Sequence, residues 1–360
     1  MKQKNLHLIF LLQVVCFITA CNKTAPINYI IGNVEYIESF PIDTCLQPTI
    51  TLIDNISGIA NIKGIDSLML TINTDNEYYM SIFSTRSGKK LMDILKKGNR
   101  PSEFLYPPSL QRLTNINDSL LASLLYNTDK ESFTVDLKRS VAENKAIFLN
   151  YSFPRLFNDV KNIIPLISKD SLMIRRNFKK GGFDRIILTS TGKQRKLKFD
   201  SQISFKKINH NTISSLPLAI CNDSIVLEAC ISLNEILMYS VDGHSYQRTI
   251  CVGNHLDDVN KTNNLNKSEF PRAYGGIQQW KDKVVLLYHG ISEKNYQSNI
   301  GNSELQIFSE NMQPLMRIKL PEVINGFYID KDGELLMLIS RKGNQNITKC
   351  NISNLLNNLP

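Results

Sequence analysis

A chain of 360 residues, 42% hydrophobic and 21% charged, can build a large core and is too apolar for a disordered polymer. Its 42 basic and 33 acidic residues leave a net charge of +9. Seven cysteines without a close CxxC or Cys/His spacing argue against a disulfide framework and against a zinc site.

Residues 1–20 predict a signal peptide. Lys2 and Lys4 form a basic start, and Leu6 to Ile18 an apolar run that His7 and Gln13 interrupt. The run is too short for a stable membrane span. It ends Ile18-Thr19-Ala20-Cys21, which resembles a bacterial lipobox, where small residues precede a cysteine that takes lipid and becomes the mature N-terminus. The resemblance implies lipidation of Cys21, which would hold a soluble domain at a membrane without a spanning helix. A plain secretory signal with an incidental Cys21 is the alternative. Removing residues 1–20 takes away Lys2 and Lys4 and leaves +7, from 40 basic and 33 acidic residues. An exported lipoprotein is not expected to meet nucleic acid. The balance therefore points to anionic lipid, glycan or a negatively charged partner. Of the remaining cysteines, Cys45, Cys221, Cys230, Cys251 and Cys350, most are expected to be buried as small hydrophobes.

Residues 21–47 read as lipidated Cys and tether, with one edge strand in the loose alternation from Asn28 to Phe40. Residues 48–360 read as one domain. It opens with the short strand Thr49 to Ile53 and then repeats itself. Asp66-Ser67-Leu68, Asp118-Ser119-Leu120, Asp170-Ser171-Leu172 and Asp223-Ser224-Ile225 each join a polar turn to an apolar, β-prone run. Weaker copies begin at Asp282 and Asp332, and successive steps are 52, 52, 53, 59 and 50 residues. A second turn recurs within the repeat, at Ser84 to Gly88, Ser190 to Gly192, Ser240 to Gly243 and Ser309 to Asn311. A looser copy is Thr134-Val135-Asp136. Each repeat is thus strand, Asp turn, strand, loop, strand, Gly turn, strand. Six such units predict an all-β, six-bladed propeller of four-stranded antiparallel blades. Closing the ring requires a strand from the other end of the chain, assigned here to residues 48–53.

This order puts Asp turns and Gly turns on one face and the longer loops on the other. The loop face comprises residues 73–80, 94–107, 175–184, 251–275, 290–302 and 341–347. Arg100, Arg175, Arg176, Lys179 and Lys180 gather there, with Tyr78, Tyr79 and Tyr274 as possible platforms for a sugar or an anion.

The crossover Lys97-Gly98-Asn99-Arg100-Pro101-Ser102-Glu103-Phe104-Leu105-Tyr106-Pro107 resembles the Gly-x-Gly-Pro-Gly-Glu-Phe…Pro signature of NHL-type propellers. It is closest to the TolB-like six-bladed propeller lipoproteins of Gram-negative envelopes. Asn99 and Ser102 stand where that signature has Gly. The resemblance implies the fold and an envelope location, and no reaction. Gly98 and Pro101 fit a constrained turn and Phe104 a plug between sheets. Glu103 and Arg100 either satisfy the turn's amides or serve the ligand face.

No catalytic constellation is apparent. The histidines are scattered, Asp330-Lys331-Asp332-Gly333 lacks the other ligands of a calcium loop, and neither a P-loop nor a dinucleotide fingerprint follows a strand. The expectation is a binding or scaffold protein for an envelope protein or glycan, an anionic one included. It would be a monomer with no cofactor, no metal and no nucleic acid, lipid-anchored at the outer membrane and facing the periplasm. An envelope hydrolase or lyase with its site in the central channel is the alternative. The Asp-Ser-Leu and Asp-Ser-Ile turns also resemble sites of O-glycosylation on exported proteins.

Overall fold

The computed structural model describes residues 27–46, 50–126, 131–149, 159–177, 182–199, 208–341 and 344–359. The expected propeller is present, with six sheets in a ring. Blade 1 is β4 (Ile59–Ile65), β5 (Leu68–Asn73), β6 (Tyr78–Ser84) and β7 (Lys90–Lys96), from the innermost strand outward. Blade 2 is β8 (Ser109–Ile116), β9 (Ser119–Tyr126), β10 (Glu131–Asp136) and β11 (Phe148–Leu149). Blade 3 is β12 (Val160–Pro165), β13 (Ser171–Arg176), β14 (Phe183–Leu188) and β15 (Gln194–Lys196). Blade 4 is β16 (Ser215–Ile220), β17 (Ile225–Cys230), β18 (Glu235–Ser240) and β19 (Gln247–Val252). Blade 5 is β20 (Pro271–Trp280), β21 (Lys283–Ser292), β22 (Glu304–Ser309) and β23 (Pro314–Lys319). Blade 6 is β24 (Ile324–Ile329), β25 (Glu334–Arg341), β26 (Asn344–Asn351) and β3 (Ile50–Ile56).

β3 pairs antiparallel with β26, so the start of the domain supplies the outer strand of the last blade and closes the ring. The residues before it also pack on the propeller. The stretch expected to be a tether with one edge strand holds two strands in its described part. β1 (Asn33–Ile37) pairs parallel with β19, and β2 (Ile42–Cys45) pairs parallel with β23. Blades 4 and 5 thereby become five-stranded, and their outer backbone edges are covered.

The Asp turns exist because hairpins this tight need left-handed backbone, which Asp and Asn tolerate. Asp66, Asp118 and Asp223 have φ of 53°, 63° and 64°. In blades 3 and 5 the residue before the Asp takes that role instead, Lys169 and Lys281, and in blade 6 Gly333 does. The Gly turns follow the same logic at Gly88, Gly192 and Gly243. Blade 2 differs: Thr134-Val135-Asp136 ends a strand, and Asp136 caps α1 (Leu137–Glu143) by accepting a hydrogen bond from the Arg139 amide. Of the serines in the Asp turns, Ser67 and Ser224 are exposed, whereas Ser171 is fully buried.

The core is not one mass but six apolar seams, one between each pair of neighbouring blades. Alternate residues of the middle strands face opposite seams, so β13 sends Leu172 to one side and Met173 to the other. The fullest seam, between blades 5 and 6, holds nineteen buried residues including Trp280, Phe327 and Met337. The thinnest among the described residues, between blades 2 and 3, has five. Cys230, Cys251 and Cys350 are buried as expected, Cys221 is half-buried, and Cys45 is exposed on β2.

Candidate functional site

The innermost strands decide what chemistry the central channel can hold. β4, β8, β12, β16, β20 and β24 contain no Asp, Glu or His, and every charged residue on them is basic. Arg112 is neutralised by Asp223, with Nη2 2.7 Å from Oδ1 and Nη1 2.8 Å from Oδ2. Arg272 lies 3.2 Å from Glu293 and over the ring of Tyr296. Lys63 and Lys161 have no carboxylate partner among the described residues. Lys63 is half-buried, and desolvation holds its ammonium below the ordinary lysine value.

Lys161 belongs to a larger basic recess on the loop face, at the junction of blades 3 and 4. β12 begins there and presents Lys161. β13 ends there with Arg175 and Arg176, and β14 begins there with Phe183 and Asp184. His210 and Ser214 come from the crossover into blade 4. The Lys161 ammonium donates to Ser214 Oγ, which in turn donates to the His210 carbonyl at 2.8 Å. Lys161 Nζ sits 5.3 Å from the centre of the Phe183 ring, and the His210 ring meets the same ring edge-on at 5.5 Å. Burial, aided by the charge of Arg176, pushes Lys161 down to about 8. Burial and the charges of Arg176 and Lys161 likewise hold His210 below its ordinary value.

Among the described residues one carboxylate stands in the recess, and it is already committed. Asp184 accepts from Lys196 at 2.5 Å and Asn177 at 3.0 Å, and lies 3.6 Å from Arg175. Burial alone would raise its carboxyl, but these partners outweigh it and leave the value lowered. Arg176 is exposed and has no ion pair among the described residues. The recess therefore combines a desolvated ammonium, an unpaired guanidinium, a hydroxyl and an aromatic ring. Such a set favours an anion.

Beneath the recess lies a fully buried polar cluster. Arg185 on β14 grips Glu228 on β17 through Nε and Nη2, both at 2.8 Å, and donates to the Tyr29 hydroxyl at 2.8 Å. Tyr239 and Ser215 each donate to Glu228 at 2.6 Å. Burial opposes ionisation of Glu228, but Arg185 and these donors prevail and hold it below the ordinary carboxylate value. This cluster fixes the floor of the recess and pins the chain at Tyr29 to two blades. A second buried acid, Glu235, has the opposite surroundings. Neither of its oxygens makes a hydrogen bond of ordinary geometry, and burial together with the nearby Asp257 charge raises it far above the usual carboxylate value.

The structure sorts the residues expected from sequence. Arg175 and Arg176 join the recess. Arg100 is exposed on the crossover from blade 1 to blade 2, where its amide donates to Glu103 at 3.1 Å. Glu103 thus satisfies the turn, and Phe104 packs against Tyr126, Phe133 and Phe148 as a plug between blades 1 and 2. Tyr78 is half-buried at the start of β6. Tyr79 is buried, with its hydroxyl donating to the Leu105 carbonyl at 3.0 Å. Tyr274 is fully buried beside Tyr288 and offers no surface to a ligand. Cys21, Lys179 and Lys180 lie outside the described residues. Sequence reasoning missed Lys161, Ser214 and His210. The one available signal was the charged, unpatterned start of β12, Val160-Lys161-Asn162.

No protein-family model and no curated protein matches the chain. Solved structures do. A member of the DUF4221 family from Bacteroides vulgatus superposes with a TM-score of 0.53 at 13% identity, over 90% of this chain and 98% of that one. A Bacteroides fragilis protein described as exported gives 0.51 at 12% identity, over 88% and 98%. At this identity the likeness establishes a shared six-bladed fold over nearly the whole of each chain.

Proposed function

We propose that the protein is an exported, lipid-anchored binding module of the cell envelope, carried by Cys21. Its loop face captures an acidic glycan or the acidic face of a partner protein. The observation that carries this reading is the charge of the inner wall: its six strands carry four cations and no acid, and Lys63 and Lys161 have no carboxylate partner among the described residues. A hydrolase or lyase in the channel would need converging acids or histidines, and the six inner strands supply none. The lipobox-like Ile18-Thr19-Ala20-Cys21 and the exported neighbour support an envelope location, and placement in the outer membrane facing the periplasm belongs to the same proposal. Membership among TolB-like, NHL-type propeller lipoproteins is supported by the Gly98 to Pro107 crossover.

The test is binding of acidic and neutral oligosaccharides, and of solubilised envelope proteins, to the wild type and to Lys161→Ala/Arg176→Ala. The double variant should lose roughly tenfold or more in affinity for the acidic ligand, a loss of about 1.4 kcal/mol, and its remaining binding should depend less on salt. Equal binding by the two proteins at low salt would sink the proposal.

A further inference from the structure

We infer that Lys161 is a nucleophilic amine that captures a small carbonyl compound bearing a carboxylate, such as an α-oxo acid, as a reversible imine. This rests on the anion-binding reading of the recess and adds to it a covalent bond that charge attraction alone does not give. A lysine acts as a nucleophile when its ammonium is desolvated, stands beside another cation and lacks a carboxylate to hold its proton. Lys161 meets all three conditions. It is half-buried at the start of β12, and no carboxylate pairs with it among the described residues. Its Nζ sits 5.3 Å from the centre of the Phe183 ring, with Arg176 of β13 and His210 of the crossover within electrostatic reach. Deeper in blade 4, Glu228 and Cys230 of β17 favour the charged form, but burial and Arg176 outweigh them. Glu228 is itself held by Arg185, Tyr239 and Ser215.

The hydrogen bond to Ser214 leaves this amine free to react. A serine hydroxyl has one proton, and Ser214 gives it to the His210 carbonyl at 2.8 Å. Toward Lys161 the hydroxyl can therefore only accept, which it does. Such a bond uses an N–H and leaves the lone pair of the neutral amine unclaimed. That lone pair adds to the carbonyl carbon, and a proton passes from nitrogen to the carbonyl oxygen. The resulting hydroxyl leaves as water with the second proton of the amine, and a C=N bond replaces the C=O bond with no change in oxidation state. Arg176, exposed and without an ion pair among the described residues, is placed to take the carboxylate. Among the described residues no carboxylate is free to draw a further proton from the imine, because Asp184 is held by Lys196, Asn177 and Arg175. Capture thus ends at the imine, and water reverses it.

The test exposes the full chain to glyoxylate, or to glycolaldehyde as its neutral counterpart, with cyanoborohydride present. Reduction turns the imine into a stable secondary amine, which peptide mass mapping locates. Glyoxylate should label Lys161 saturably and roughly tenfold faster than the exposed lysines as a group. Its labelling should rise with pH around a midpoint of about 8, as neutral amine replaces ammonium, while exposed lysines gain reactivity only at higher pH. Glycolaldehyde, which has no carboxylate, should label Lys161 without saturation. Arg176→Ala removes a facing positive charge, so it should raise the midpoint and abolish the preference for glyoxylate. Label distributed over the lysines by exposure alone would overturn the inference. So would a Lys161 midpoint equal to that of a free lysine, or an unchanged preference for glyoxylate in Arg176→Ala.

Lys161→Arg separates this inference from the glycan reading, because it keeps the cation and removes the nucleophile. The variant should bind an acidic oligosaccharide as wild type does and take no label at position 161. Oligosaccharide binding by a wild type that forms no adduct would sink the covalent step and leave the binding module standing. An adduct at Lys161 without oligosaccharide binding would support capture and sink the glycan reading. Thermal melting of each variant, followed by circular dichroism, distinguishes these outcomes from loss of the fold.

Discussion

Glu228 and Glu235 lie seven residues apart, both without solvent exposure, and meet opposite fates. Glu228 receives hydrogen bonds from Arg185, Tyr239 and Ser215 and stays ionised. Glu235 receives no side-chain donor among the described residues, and burial with the Asp257 charge raises it far above the usual carboxylate value, which favours the neutral acid. An acid neutral when folded and ionised when unfolded takes up a proton on folding, so the unfolded state binds fewer protons. Stability then declines as pH rises above the unfolded value of about 4.3, by up to about 1.4 kcal/mol per pH unit. Glu235→Gln should therefore be more stable than wild type at neutral pH, and the advantage should vanish near pH 4. Denaturant midpoints measured from pH 4 to 8 check this, and parallel profiles for the two proteins would refute it. At this scale the sequence was only partly legible. Arg175 and Arg176 stood out because they follow a clear apolar strand. Lys161 did not, since one lysine in a short β run looks like an outward-facing position. Tyr274 misled because β20 starts at Pro271, so a residue expected in a loop lies inside a strand that packs against blade 4.

Among elements, the crossover after blade 1 shows how a short motif sets a local shape. Gly98 has φ of 152°, and a Cβ there would meet Glu103 Oε2 at 1.9 Å. The space a side chain would need is filled by the carboxylate that accepts the Arg100 amide. Gly98→Ala should force Glu103 out, release that amide and cost about 1–3 kcal/mol, the usual range for a strained backbone position. Faster hydrogen exchange over residues 97–104, with the Phe104 plug loosened, is the accompanying signature, and unchanged exchange would contradict it. This turn and the Asp and Gly turns were readable because each depends on a few adjacent residues. α1 was not, because its Asp136 cap doubles as the end of β10. The pairing of β1 and β2 was hidden for a different reason: alternation marks a strand but does not say which edge, far along the chain, it will join.

For the whole molecule, the repeat period announced the ring, but the evenness it implies is absent. The blade 2–3 seam is the thinnest among the described residues, and a small cavity lies beside it, lined by Gln111, Ser123, Ser132, Phe133 and Pro165 among others. Ser132 Oγ is buried there without a hydrogen bond. Local opening follows low apolar burial, so this seam should part before the others. Native-state hydrogen exchange should show weaker protection in β12 than in β24, whose seam is the fullest. Equal protection of the inner strands would refute it.

The placement of β1, β2 and β3 on the outside of blades 4, 5 and 6 governs the order in which the molecule can be assembled. Ile31 bonds Thr249, 218 positions later, and β3 must wait for β26, the last strand made. The residues synthesised first thus find their partners last. Blades 1 to 3 can form while the opening segment is still unpaired, and its strands are taken up in turn as blades 4, 5 and 6 supply β19, β23 and β26. A lipid carried by Cys21 would be attached to a chain that has not yet folded. The final step of folding would then draw that anchored end into the finished ring.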